Sequence, residues 1–198
     1  MDKQFYIIIG RSGCGKGTQA ELLEKYLKDN GREKVLHTTT GGGFREFIER
    51  DTYASKLSKE ITNNGKLNPE FLAIWNWSNI FINKLTGGET VILDGAPRRL
   101  VEVTALESAI EFFGYHKPIV IYVDVPELWA LERIKERNRE DDRDPYDAEL
   151  KMKWYEENVL PVIDFYSRDP KAKFIHVNGK QPPDEVHKEL IEKLDLLQ

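Results

Sequence analysis

Residues 5–18 read FYIIIGRSGCGKGT, an apolar run of five residues followed by a turn that contains four glycines. Glycine lets consecutive backbone N–H groups point to the same side, and such a concave turn binds anions. A helix that begins directly after the turn adds the positive end of its dipole. The stretch therefore predicts a strand, a phosphate-binding loop and a helix, in that order.

Two side chains in this turn suit the chemistry of a nucleoside triphosphate. Lys16 can reach the terminal phosphates as a mobile point charge, and Thr18 offers a hydroxyl group to a bound metal ion. Cys14 has no evident base beside it, so we expect a small loop residue and not a nucleophile. A glycine-rich turn without a ligand is the weaker alternative, because a lysine and a hydroxyl stand in register after an apolar strand. The loop residues predicted to bind ATP are Gly10, Ser12, Gly13, Cys14, Gly15, Lys16, Gly17 and Thr18.

Strand-like and helix-like segments alternate along the whole chain. The apolar runs 5–9 and 118–123 lack polar alternation, which is typical of parallel strands covered on both faces. Alternating strands and helices predict an α/β protein, here a three-layer P-loop fold with a central parallel five-stranded sheet. The predicted strands are 5–9, 35–38, 90–93, 118–123 and 173–177. The predicted helices are 18–29, 69–84, 100–113, 127–138, 148–167 and 183–196.

Two segments are too long or too polar to be simple connections in such a fold. Residues 40–88 are helix-like, and residues 137–147 are rich in Arg and Asp. We interpret both as excursions from the core that cover a ligand. The length of 198 residues suits one domain, whose core comprises 1–39, 89–136 and 148–198.

The composition excludes several classes of function. A net charge of −5 argues against binding a nucleic acid polymer, which requires a basic surplus. No apolar run is long enough to cross a bilayer, and the N-terminus lacks the pattern of a secretory signal. One cysteine excludes an internal disulfide, so we expect a cytosolic protein, and a monomer because nothing suggests an interface. Four arginines within 133–143 suit a compact polyanion or a solvated helix face.

Asp94 is the candidate metal-binding carboxylate. It follows the apolar residues 90–93, and an acid at the end of such a strand typically holds Mg²⁺ through water beside a phosphate-binding loop. The alternative is a surface aspartate that starts a turn before Gly95. The loop at 10–18 favours the metal site.

In this order and at these spacings, the motifs resemble the adenylate kinase family of nucleoside monophosphate kinases, in its form with a short lid. GKGT at 15–18 has the family's usual form, although Ser12 stands where proline is common. Tyr155 and Pro161 fit a later Tyr-x5-Pro pattern. Four further segments resemble family motifs: TTGGGFR at 39–45, GKLNP at 65–69, DGAPR at 94–98 and RNREDD at 137–142.

The resemblance implies ATP as the donor, a nucleoside monophosphate as the acceptor, with AMP preferred, and Mg²⁺ held by Asp94 and Thr18. It implies that segment 40–88 binds the monophosphate and that segment 137–147 is the lid. Arg133 would stack on the adenine of ATP, and the turn 178–181 would contact it. The lid lacks cysteine, so no zinc is expected. The implied catalytic residues are Lys16, Arg98, Arg137 and Arg139. The implied monophosphate-binding residues are Thr40, Gly41, Arg45, Lys66, Leu67, Gly95, Arg98 and Glu102. Asp141, Asp142 and Lys151 belong to the lid.

Three positions depart from the family pattern. Lys151 stands where the family has a lid-side arginine, a role that Arg143 could also take, and Gly42 stands where it has an acid, which loosens a helix start. Glu102 replaces the glutamine that reads the base. A carboxylate only accepts hydrogen bonds, whereas an amide also donates. CMP, UMP or GMP therefore stays open as the acceptor, and Glu102 could instead be an exposed helix residue.

Functions of other classes fit the acceptor motifs less well. A P-loop ATPase or nucleotide-binding module would not need the arginine set, and a small-molecule kinase would need a base for its alcohol, which the sequence does not offer. We expect the remaining arginines, Arg50, Arg99, Arg143 and Arg168, to be plain surface residues.

Overall fold

A computed structural model describes residues 3–64, 66–136 and 145–195. Its strands are β1 (Phe5–Ile9), β2 (Val35–Thr39), β3 (Thr90–Asp94), β4 (Ile119–Asp124) and β5 (Lys173–Asn178). All neighbouring pairs are parallel, and the order across the sheet is β2-β3-β1-β4-β5. The predicted α/β fold with a central parallel sheet is confirmed.

Five of the predicted helices, all but the one over 148–167, lie close to their predicted bounds, and the helix-like segment 40–88 contains two further helices. The helices are α1 (Lys16–Asp29), α2 (Thr40–Ile48), α3 (Tyr53–Asn63), α4 (Glu70–Lys84), α5 (Leu100–Phe112), α6 (Glu127–Glu136), α7 (Pro145–Trp154), α8 (Leu160–Arg168) and α9 (Pro183–Asp195). Three of them, α2 to α4, lie between β2 and β3. Among the helices of the described residues, none has the length and apolar content that spanning a membrane requires.

The helix predicted over 148–167 is not continuous. A π-helical turn, Tyr155–Val159, separates α7 from α8. Pro161 stands in the first turn of α8. Proline has no N–H to give the carbonyl four residues earlier, and its ring crowds that carbonyl, so the hydrogen-bond ladder changes there.

The sheet is covered on both faces. Tyr6 and Ile8 of β1 belong to one buried cluster with α1, α6 and α9, whereas Ile7 and Ile9 belong to another with α4, α5 and α8. Successive residues of a strand point to opposite faces, so an uninterrupted apolar strand requires helices on both sides.

All five strands run in the same direction, so their carboxyl ends meet along one edge of the sheet. Ile8 of β1 and Thr39 of β2 both pair with Asp94 of β3. The phosphate-binding loop, the start of α2 and the segment after Asp94 therefore leave the sheet side by side. In an open α/β sheet, this edge is where ligands bind.

Candidate active site

A single cavity of about 1210 Å³ lies along this edge. Every sequence-predicted site residue within the described ranges lines it. On the loop side these are Gly10, Ser12, Gly13, Cys14, Gly15, Lys16, Gly17, Thr18, Asp94 and Arg133. The others are Thr40, Gly41, Arg45, Lys66, Leu67, Gly95, Arg98, Glu102 and Lys151. Arg137, Arg139, Asp141 and Asp142 lie outside the described residues.

The phosphate-binding loop is pressed against β4 and α6. Gly10 and Gly13 have φ angles of +150° and +84°, which favour glycine. A Cβ atom at Gly10 would lie 2.5 Å from the carbonyl oxygen of Val123, and one at Gly13 would lie 2.5 Å from that of Ala130. Both contacts are with backbone that cannot move aside, so packing as well as conformation requires glycine here.

Lys16 lies folded over its own loop. Its Nζ donates hydrogen bonds to the carbonyl oxygens of Gly10 (2.9 Å) and Arg11 (2.8 Å) and lies 3.6 Å from Cys14 Sγ. Burial raises the pKa of the Cys14 thiol, an effect that nearby Lys16 only partly offsets. The thiol is therefore neutral near pH 7, in agreement with a structural loop residue and not a nucleophile.

Asp94 faces the start of α1. Its Oδ2 lies 3.7 Å from where a Cβ atom of Gly17 would be, and Thr18 lines the same cavity. Within residues 3–64, 66–136 and 145–195, no group of three or more His, Cys, Asp or Glu side chains could hold a metal ion. One carboxylate and one hydroxyl fit Mg²⁺, which keeps several waters and takes its remaining ligands from phosphate.

Two arginines from different segments, Arg45 and Arg98, line another part of the cavity. Arg98 donates from Nε to the Gly95 carbonyl oxygen (2.9 Å), and its guanidinium lies 5.5 Å from the centre of the Trp154 ring. Burial lowers the pKa of Arg98, and the positive charge of Arg45 lowers it further. The negative charges of Glu102 and Asp94 act in the opposite direction. Arginine stays protonated nonetheless, so two like charges are held together where an anion would relieve their repulsion.

Thr39 is the N-cap residue of α2. Its side-chain oxygen accepts a hydrogen bond from the backbone N–H of Gly42 (2.9 Å), as a helix N-cap does. A Cβ atom at Gly42 would lie 2.5 Å from this oxygen. Thr39 thus caps the helix although position 42 lacks the acid that the family pattern has there.

Asn76 of α4 holds the first residue of α2, Thr40, by a hydrogen bond. Its Nδ2 donates to the carbonyl oxygen of Thr40 (3.0 Å), in a buried hydrogen bond. A Cβ atom at Gly43 would overlap this amide and lie 2.9 Å from the same Nδ2. Gly43 therefore lets α4 approach α2 closely enough to hold Thr40, a cavity residue. Neither role was predicted from the sequence.

Arg99 is not the plain surface residue expected from the sequence. Its Nη1 donates to the carbonyl oxygen of Asn68 (2.9 Å), and its Nε donates to Asn158 Oδ1 (3.4 Å). Glu70 lies 3.9 Å away, and the side chain is 21% exposed. Arg99 connects the segment before α4 to the π-helical turn, which brings it into the cavity wall. Arg168 and Arg50 are exposed as predicted, and Arg143 lies outside the described residues.

The possibility that Glu102 is an exposed helix residue is wrong. Glu102 is 1% exposed, because the first turn of α5 faces the cavity. Burial raises the pKa of its carboxyl group, while Arg98 and the backbone N–H groups of Arg98 and Arg99 act in the opposite direction. The sequence of α5 is only weakly amphipathic, so it does not indicate which face of this helix is buried.

Aromatic residues that the sequence did not single out also line the cavity. Arg133 Cζ lies 4.8 Å from the centre of the Trp129 ring, so the two planar groups form one surface. Trp154 lies beside Arg98, and Lys151 of the same helix is 9% exposed. Gly179 of the turn 178–181 lines the cavity as well, and its N–H donates to the Asp124 carbonyl oxygen (2.7 Å).

A glycine-rich loop between a parallel strand and a helix, with a carboxylate at the end of the neighbouring strand, defines a P-loop nucleotide-binding protein. The chain belongs to the adenylate kinase family, because the family model described as adenylate kinase matches residues 8–171. Membership makes it an ATP-dependent phosphotransferase of the nucleoside monophosphate kinase class, and confirms the resemblance inferred from the motifs.

Curated relatives are similar over nearly their whole length. The adenylate kinase of Prochlorococcus marinus (strain MIT 9515) is 31% identical over 179 residues, which are 89% of this chain and 92% of that protein. The adenylate kinase of Encephalitozoon cuniculi is 29% identical over 93% of this chain and 94% of its own length. That of Bacteroides thetaiotaomicron is 29% identical, with 96% and 98% covered.

Proposed function

We propose that the chain transfers the γ-phosphate of ATP to AMP and so forms two molecules of ADP. The observation that carries this proposal is that a phosphate-binding loop and two guanidinium groups, Arg45 and Arg98, line one cavity. Phosphoryl transfer needs two phosphates in line and stabilisation of the charge on the transferred group. The loop would hold the donor, and the arginines would hold the acceptor.

On the donor side, Lys16 has to exchange its partners. Its ammonium group would leave the carbonyl oxygens of Gly10 and Arg11 for the β- and γ-phosphates of ATP. The adenine would lie against Arg133, already stacked on Trp129, and against the turn 178–181. Arg137 and Arg139 would close over the γ-phosphate, with Asp141 and Asp142 in the same lid segment. These four assignments depend on the sequence pattern alone.

The family in general uses ATP as its magnesium complex. Asp94, through water, and Thr18 are the residues that would hold the ion in this chain, since both line the cavity beside the loop. Bound there, the ion would neutralise charge on the β- and γ-phosphate oxygens.

On the acceptor side, Arg45 and Arg98 would bind the phosphate of AMP through paired N–H donors. A phosphate oxygen is already ionised, so the reaction needs no side-chain base. Glu102 would meet the base. The remaining residues expected against the monophosphate are Thr40, Gly41, Lys66, Leu67 and Gly95.

A second acceptor class is favoured by one observation. Glu102 lines the cavity where the family has a glutamine, and a carboxylate cannot donate as an amide does. The same fold could therefore serve CMP, UMP or GMP.

The test is a comparison of kcat/KM for AMP, CMP, UMP and GMP with ATP and Mg²⁺, with each diphosphate product separated by chromatography. We expect AMP to give the highest value. A higher value for another monophosphate would reassign the base while keeping the reaction. Loss of ATP without any phosphorylated acceptor would replace the proposal with a P-loop ATPase or nucleotide-binding module.

Some sequence-based expectations accompany this proposal. We assign segment 40–88 to monophosphate binding and segment 137–147 to the lid. A monomeric state and a cytosolic location stay predictions.

A further inference from the structure

The carboxyl group of Glu102 is buried at a site where it needs a hydrogen-bond partner. Glu102 is 1% exposed and lines the cavity. The backbone N–H groups of Arg98 and Arg99 act on the carboxyl group, but among the residues that the structure describes its Oε2 has no hydrogen-bond partner. A buried polar atom without a partner loses its hydration and gains nothing in return. A bound molecule that supplies a partner would remove this penalty.

The charges around Glu102 come from several elements. Arg98 and Arg99 precede it in the same segment and favour its ionised form, but burial outweighs them and raises the pKa of the carboxyl group. Arg45 from α2, Lys66 before α4 and Lys151 from α7 line the same cavity. Bound phosphate would neutralise much of the charge of Arg45 and Arg98. The ionised form of Glu102 would then lose its main electrostatic support, so acceptor binding favours a neutral carboxyl group.

We propose that Glu102 reads the base of the acceptor as a neutral carboxyl group, whose O–H donates to a ring nitrogen while its carbonyl oxygen accepts from an exocyclic amine. This inference depends on the proposed function, since it names how the AMP site selects its base. A neutral carboxyl group offers one donor and one acceptor side by side, as the amide of glutamine does. The glutamate can therefore replace the glutamine in function at the expense of taking up a proton.

The two ionisation states of Glu102 select different bases. Adenine presents a ring nitrogen acceptor next to an amino donor, which matches the neutral form. Guanine presents a ring N–H and an amino group, which are both donors and match the ionised form. Acidic conditions should therefore favour AMP over GMP, and alkaline conditions should weaken that preference.

The experiment measures kcat/KM for AMP and for GMP between about pH 6 and about pH 9, above the ordinary pKa of glutamate. The ratio of the two values removes the titration of the phosphate, which both substrates share. We expect the ratio to fall by up to about tenfold per pH unit across this range, because one proton separates the form that binds AMP from the form that binds GMP. In Glu102→Gln, which keeps the shape and cannot ionise, the ratio should stay constant. Parallel profiles in the two proteins would overturn the inference.

A binding measurement separates this inference from the proposed function. Calorimetry of AMP binding at several values between about pH 6 and about pH 9, in buffers of different ionisation enthalpy, counts the protons taken up. The wild-type chain should take up as much as about one proton more than Glu102→Gln, and this difference should vanish at acidic pH. Transfer to AMP without extra proton uptake at any pH up to about pH 9 would refute the neutral carboxyl alone. Proton uptake without transfer would refute the reaction alone, and no AMP binding would refute both.

Discussion

The two halves of the cavity differ in whether main chain or side chains form most of the proposed binding site. The half proposed for ATP, called the donor half, depends mainly on main chain: the loop 10–18 contains four glycines and is fixed by close packing against Val123 and Ala130. The acceptor half is made of side chains from separate segments, with Arg45 on α2 and Arg98 after β3. A backbone site tolerates almost no change in its glycines, whereas a side-chain site can exchange one residue for another. Two departures from the family pattern, at Gly42 and Glu102, lie in the acceptor half, whereas the departure in the loop, at Ser12, leaves its glycines unchanged.

Among the variants considered, Lys16→Ala should have the largest effect on catalysis, because it removes a charge from the donor half. Lys16 supplies the one lysine charge of the loop, and we expect kcat to fall by about 10²- to 10³-fold, as for loss of a preorganised transition-state donor. The measurement is steady-state formation of the diphosphate product. Lys25→Ala is the control, because Lys25 lies on the same helix and is exposed, pairing only with Asp29 among the contacts described.

Thermal unfolding should give nearly the same midpoint for both variants, because water can take the place of the Lys16 ammonium group at the carbonyl oxygens of Gly10 and Arg11, and its contact with the Cys14 sulfur is long and weak. Retained activity in Lys16→Ala would contradict the donor assignment.

Arg98→Ala should break the acceptor half and leave the donor half intact. A charged hydrogen bond contributes about 1.5–3 kcal/mol, so we expect kcat/KM for the monophosphate to fall about 10- to 100-fold or more. KM for ATP should change much less. Arg168→Ala, at an exposed arginine paired with Asp164, is the control. Equal losses for the two nucleotides would remove Arg98 from the acceptor site.

How much the sequence predicts also differs between the halves. The loop was predicted residue by residue, because a short local pattern determines a backbone site: Gly10 to Thr18 are consecutive. The strands were predicted because the apolar runs of a buried parallel sheet need no distant information. Arg45 and Arg98 came from family motifs and not from local physics.

What the sequence did not predict depends on contacts between distant segments. Arg99 appeared to be a surface residue because its partners, Asn68 and Asn158, are far away in the chain. Glu102 is polar, and nothing in α5 indicates that its first turn faces a cavity. The contact between Gly43 and Asn76 requires the distance between two helices, which no local pattern contains.

Arg99→Ala sharpens the comparison, because Arg99 supports the acceptor half without being expected to touch the phosphate. Loss of its bond to the Asn68 carbonyl should free the segment before α4. A hydrogen bond of this kind contributes about 1.5 kcal/mol, so we expect KM for the monophosphate to rise about tenfold with kcat less affected. Arg50→Ala is the control, because Arg50 is an exposed arginine of the excursion 40–88, which also contains Asn68. Unchanged KM would leave Arg99 a purely structural residue.

Gly43→Ala should give the smallest effect on catalysis and a measurable one on stability. The new Cβ would overlap the Asn76 amide, and overpacking of a buried contact lowers the free energy of unfolding by about 1–3 kcal/mol. In the Asn76→Ala background the overlap is gone, and alanine should then be about 1 kcal/mol better than glycine within a helix. Denaturant unfolding of the four proteins of this double-mutant cycle measures the coupling. If Gly43→Ala has the same effect in both backgrounds, the close approach of α4 does not explain the glycine, and the acceptor half is less tightly packed than its geometry indicates.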